Sequence, residues 1–302
     1  MNGDAGVNLD VIKVDSQDNK CIHDIYIATW YKIIIKLKTN KDWSCTTEYT
    51  ITPADLSLTE ESLGVFYKAV GANIHSGTKD YSDIFLCTEK QFLWIDVTNK
   101  QVTLLAAVKS SYRQCKIETN DWNDDGNVDV AVTNFGEDKV IVLMHPGKDE
   151  DIYDKTKWTD SSIAIKNPSS IRAVDINGDN HKDFLISSYT DNSVIWYPNE
   201  FFIKTKLPES TTKVYIEKTF GSGQIIGTTL KESYETFGGD LDQDGDIDIL
   251  AIAYNGKKIS WFENTKGYVN SIPLNIKKTS SLTHHSFIRH ASQGKFIRAV
   301  YK

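Results

Sequence analysis

The sequence predicts an all-β protein, a β-propeller of about five to seven four-stranded blades that takes residues 1–302 as one domain. Three observations point there. Short runs rich in Val, Ile, Tyr, Phe and Trp are repeatedly broken by Gly, Asn, Asp and Ser, the texture of many short strands. A nine-residue acidic pattern recurs along the chain, each time leading into a β-prone run. An aromatic strand end keeps step with it: Trp196 stands as far beyond Asp183 as Trp261 stands beyond Asp248. Self-similarity over about 45–65 residues, with three or four strands per unit, is the mark of propeller blades. A solenoid of β-hairpins is the alternative. The propeller is preferred because a radial array protects its sheet edges without caps.

The fullest acidic copy is 240–248, Asp-Leu-Asp-Gln-Asp-Gly-Asp-Ile-Asp, running into Ile249 and Leu250. Oxygen donors at alternate positions around a turn-forming Gly suit a hard cation, calcium. A strand follows rather than a helix, so the loop is not an EF-hand. Its expected ligands are Asp240, Asp242, Asp244 and Asp248, with the carbonyl of Asp246 as a further donor. The same spacing assigns Asp121, Asn123, Asp125 and Asp129 with the carbonyl of Asn127, and Asp175, Asn177, Asp179 and Asp183 with the carbonyl of His181. The middle loop carries its Gly at position four instead of six. About three calcium ions are expected, since magnesium prefers water-rich octahedral sites. A hairpin turn that binds nothing is the alternative for any one loop, and three copies in register argue against it.

Degenerate copies flank these: residues 3–10 before Val11, 76–83 before Ile84, and 291–294 before Phe296, none expected to hold an ion. The clearest repeats span 110–265, and 21–70 reads as an elaborated blade or an insertion. The partial units at both ends suggest ring closure between them, self-association through them, or a chain that is part of a longer protein.

The net charge of −7 disfavours nucleic acid as a partner. The three loops hold four, three and five Asp, so most of that charge is an inventory of ligands. No apolar run approaches the roughly 18 residues of a membrane span. Cys21, Cys45, Cys87 and Cys115 form no zinc spacing; two disulfides, Cys21 with Cys45 for example, and buried free thiols are both compatible with them. The first residues lack the basic and apolar segments of a signal peptide. Calcium loops of the extracellular class bind on the order of 10⁻⁴–10⁻³ M, which favours an extracellular or cell-surface setting.

The acidic loop, the β-run after it and the Trp-aromatic-x-Asn tail at 196–199 and 261–264 resemble FG-GAP/VCBS repeats, the calcium-binding blades of integrin α-chain propellers and of some lectins. Phe237 and Gly238 before Asp240 match part of that motif, whereas its Gly-Ala-Pro part is absent. The resemblance implies structural calcium and a non-enzymatic, lectin-like or adhesive module that recognises a glycan or protein ligand. A structural or assembly component is the alternative, and the non-catalytic propeller of a carbohydrate- or lipid-active enzyme a more distant one. Trp43, Trp122 and Trp158 are candidate ligand-stacking residues, and Trp122 leads because position two of such a loop is expected to point outward.

A search for catalytic motifs finds neither a His-Glu-x-x-His nor a Gly-x-Ser-x-Gly, and the expectation is a protein that is not an enzyme. The glycine-rich stretch 221–227 reads as a connection between blades. His284, His285 and His290 read as scattered surface histidines, with a transition metal as the alternative.

Overall fold

Consecutive antiparallel hairpins build the molecule. The computed structural model describes residues 7–13, 21–29, 34–40, 45–57, 63–75, 83–109, 115–147, 150–200, 220–264 and 276–283. These form five four-stranded sheets, each taking its strands in chain order. The first comprises β1 (Val7–Lys13), β2 (Cys21–Thr29), β3 (Ile34–Asn40) and β4 (Cys45–Ile51). The second comprises β5 (Phe66–Ala72), β6 (Asp83–Thr88), β7 (Gln91–Asp96) and β8 (Gln101–Ala107). The third holds β9 (Ile117–Asn120), β10 (Asp129–Asn134), β11 (Lys139–Met144) and β12 (Thr159–Ala164). In the fourth stand β13 (Pro168–Val174), β14 (Asp183–Ser188), β15 (Ser193–Tyr197) and β16 (Gln224–Gly227). The fifth has β17 (Ser233–Gly239), β18 (Asp248–Ala253), β19 (Lys258–Asn264) and β20 (Ile276–Thr283). Up-and-down sheets of this kind are the blades of a β-propeller. The chain divides into two compact units, 1–167 with three blades and 168–302 with two.

Packing explains why the second and third strands of a blade read as apolar runs. Every residue of β6 is buried. Its side chains alternate between two cores: Ile84 and Leu86 join Leu93 and Ile95 on one face, while Phe85 and Cys87 join Phe92 and Trp94 on the other. That second face meets Val130, Val132, Ile141, Leu143 and Trp158 of the third blade. In the other unit, Leu185 and Trp196 pack with Ile249, Ala251 and Phe262 across the seam between the fourth and fifth blades. A disulfide joins Cys87, in β6, to Cys115, just before β9, and so ties the second blade to the third.

Several expectations change here. Asp10, read as the end of an eroded loop, lies inside β1 opposite Tyr26. The stretch 21–70 supplies the rest of the first blade and the opening of β5. The supposed connection 221–227 contains β16, the outer strand of the fourth blade. Side chains of Cys21 and Cys45, together with Trp43, His284, His285, His290 and the segments 3–6, 76–82 and 291–302, lie outside the described residues.

Candidate cation loops

Each acidic loop joins the first strand of its blade to the second: 121–128 between β9 and β10, 175–182 between β13 and β14, and 240–247 between β17 and β18. All three share one backbone. Positions four and six are left-handed in every copy: Asp124 (φ 53°) and Gly126 (φ 83°), Gly178 (φ 76°) and Asn180 (φ 70°), Gln243 (φ 69°) and Gly245 (φ 97°). Gly and Asn tolerate that region best, so the displaced Gly178 leaves the loop's shape intact.

Position one clamps the turn. Asp121 accepts the N–H of Asp125 (3.1 Å) and of Gly126 (2.8 Å). Asp175 likewise accepts from Asp179 (3.1 Å) and Asn180 (2.9 Å), and Asp240 from Asp244 (3.1 Å) and Gly245 (3.2 Å). The position-five carboxylate accepts the N–H of position seven: Asn127 to Asp125 and His181 to Asp179 at 2.8 Å, Asp246 to Asp244 at 3.2 Å. Positions one, three and five are thus drawn together at the solvent edge of the blade. In the fifth blade this leaves Asp240, Asp242 and Asp244, all exposed, with carboxylate oxygens within 4.8 Å of one another. The other two loops place an amide between their acids, Asn123 donating to Asp125 (3.0 Å) and Asn177 to Asp179 (2.9 Å).

The ninth-position Asp, expected as another ligand, has a different environment. Asp129, Asp183 and Asp248 are fully buried. One oxygen of each accepts the N–H of position two: Trp122 at 3.0 Å, Ile176 at 3.1 Å, Leu241 at 3.1 Å. The other accepts, at 2.8 Å, the N–H of the residue beyond or ending the third strand: His145, Asn199 and Asn264. The carboxylate therefore stitches loop to strand end. Burial, only partly offset by these hydrogen bonds, pushes Asp129 and Asp183 up to about 7 and raises Asp248 as well. The acids of each loop add to the rise, Asp125 and Asp121 acting on Asp129.

The candidate stacking residues are corrected. Trp122 is fully buried and Trp158 nearly so. Trp122 turns inward because its own N–H is bonded to the buried Asp129, which carries position two into the protein. The sequence held a signal for this, since position two is apolar in all three loops: Trp122, Ile176 and Leu241. The Trp landmark is explained in part. In the second blade Trp94 donates its indole N–H to Asp83 (3.2 Å).

Among the described residues, no helix is long and apolar enough to cross a membrane. No family model matches the chain, and no curated protein matches it. Solved structures do resemble it. The periplasmic gluconolactonase of Pseudomonas aeruginosa is similar at TM-score 0.50 with 11% identity, covering 89% of this chain and 68% of that one. The β-propeller domain of Cps50 (Swd1) from Myceliophteria thermophila is similar at TM-score 0.48 with 10% identity, over 86% of this chain and 69% of that one. Such identities establish the fold alone. The expectation of a non-enzymatic recognition module is nevertheless overturned here, because the propeller matched at 0.50 is a lactonase, and an enzyme uses this scaffold. The chain is similar in fold to propellers of this kind.

Proposed function

We propose that the protein is a β-propeller that binds divalent cations, calcium first, in the loops 121–129, 175–183 and 240–248. The observation that carries this reading is the convergence of the Asp240, Asp242 and Asp244 oxygens within 4.8 Å at an exposed edge. Carboxylates so close repel one another, and a hard cation with oxygen ligands would offset that repulsion. The shared left-handed pair at positions four and six supports the same assignment for the two amide-containing loops. With these loops, the FG-GAP/VCBS likeness is carried forward as the family proposal. The Cys87–Cys115 disulfide favours an oxidising compartment, where calcium is also plentiful, and extends the proposal to a location outside the cytosol.

The role assigned to the ions is to hold the blade edges in their folded form. Thermal melting in millimolar calcium and in excess chelator tests it. At one to ten times its Kd a ligand bound to the native state alone adds about 0.4–1.4 kcal/mol per site, so calcium in the loops should raise the midpoint by a few degrees. Asp240→Asn with Asp244→Asn should remove the largest share of that rise. An identical midpoint in both media would end the proposal. Turnover of gluconolactone, with and without calcium, tests for the activity that the matched scaffold serves in Pseudomonas aeruginosa.

A further inference from the structure

We propose that His75, Asp83 and Asp96 form a separate binding site for one first-row transition ion, zinc by preference, in the seam between the second and third blades. Asp83 opens β6 and Asp96 closes β7, and the two stand directly opposite each other in the strand register. Both are buried, at 0% and 1% exposure. Like charges in register across two strands are unfavourable, and buried charges are ordinarily paired or bound to metal. Three donor atoms, one from each of His75, Asp83 and Asp96, lie within 4.8 Å of one another.

The surroundings aim the donors. Oδ2 of Asp83 accepts the N–H of Ile74 (2.9 Å), and Oδ1 of Asp96 accepts the N–H of Asn99 (2.9 Å). Each carboxylate thereby turns its second oxygen inward. Nε2 of His75 meets those oxygens, at 2.9 Å from Asp96 Oδ2 and 3.8 Å from Asp83 Oδ1. Donors bound to one zinc at about 2.0–2.1 Å are roughly 3.0–3.4 Å apart, so small shifts of the imidazole would seat an ion. The hydroxyl of Tyr153 (2.5 Å) and the amide of Asn99 (2.8 Å) donate to Asp96 Oδ2, and the indole of Trp94 donates to Asp83 Oδ1 (3.2 Å). Such partners orient metal-binding carboxylates. Tyr153 also stacks on Trp94 at 5.0 Å, which walls one side with aromatic rings. The side chain of His75 is 31% exposed, against 1% for that of Asp96.

The imidazole separates this site from the loops. Calcium takes oxygen donors, whereas nitrogen with carboxylates suits zinc and its neighbours. The experiment is a zinc titration by calorimetry on calcium-saturated protein, repeated with cobalt(II) to read visible absorption. One zinc per chain is expected, weakened at least tenfold by His75→Gln, which should also abolish the cobalt band. An unaltered urea unfolding midpoint without added metal would establish that this variant folds. Asp96→Asn provides a second weakened variant from the buried side of the cluster. Wild-type protein that takes up no stoichiometric zinc would overturn the site, as would zinc binding that His75→Gln leaves unchanged. Either result stands apart from the calcium reading, which the melting experiment decides alone.

Discussion

The second blade and the third enter their second strands on the same residue and differ in what precedes it. Asp83 accepts the N–H of Ile74 at 2.9 Å, as Asp129 accepts that of Trp122 at 3.0 Å. Both are fully buried, and burial raises both carboxyls. Yet the second blade lacks the alternate carboxylates and carboxamides of 121–125; its stretch 76–80, Ser-Gly-Thr-Lys-Asp, alternates two hydroxyls with a single carboxylate. The buried Asp therefore belongs to the construction of a blade, and the proposed ion binding rests on positions one, three and five alone. A pattern that looks like one motif is two devices in succession.

The largest expected effect breaks the shared device. Asp83→Ala and Asp248→Ala each strand buried N–H groups, at about 1–3 kcal/mol per group, so each should cost about 3 kcal/mol or more in urea unfolding. The loss should be the same in calcium and in chelator for Asp83→Ala. With zinc absent from both media, a cost that differs between calcium and chelator would mean that the second blade holds calcium as well.

A smaller effect comes from protons. Asp129 and Asp183, held at about 7 against an ordinary 3.8, keep protons in the folded chain that the unfolded chain has released. Their contribution is complete below about pH 4 and is lost as the pH rises through 7. Chelated protein should accordingly have a higher urea midpoint at pH 5 than at pH 8, and Asp129→Asn should shrink the difference. Calcium, which favours ionised loops, should flatten or invert that slope. A steeper fall in calcium would argue against ion binding near these carboxyls.

The smallest effect concerns the loop backbone. A Cβ added to Gly245 meets nothing within 4 Å, so Gly245→Ala is felt only through its φ of 97°, at about 1–2 kcal/mol. Asn180→Gly, at the equivalent position, should change stability by only a few tenths of a kcal/mol. Equal losses from the two substitutions would contradict a common loop conformation.

Blade order and the acidic loops were legible because each is local. Alternating acids mark the loop, and β-branched and aromatic runs mark the strands on either side. Contacts between distant segments were not. Trp122 looked free until the buried Asp129 was seen to hold its backbone. Asp10 resembled a loop terminus only because a β-prone run follows it, whereas the pairing of β1 with β2 places it mid-strand. Four cysteines gave no pairing, since the bond from Cys87 to Cys115 depends on how two blades abut. Asp83 and Asp96 were within reach: counting back from the turn between β6 and β7 brings them face to face. His75 was not, because it arrives from the preceding loop.

The paired left-handed residues at positions four and six bear on how such loops are found. A text search for alternating Asp or Asn with Gly at six would recover 121–129 and 240–248 and miss 175–183, although the three share a backbone conformation. A description written in dihedral angles would recover all of them: oxygen-bearing residues at one, three and five, two residues that tolerate positive φ between and after the last of these, an apolar second position, and an Asp at nine. In those terms a loop with no glycine at all remains a candidate, provided Asn or Asp stands at both left-handed positions.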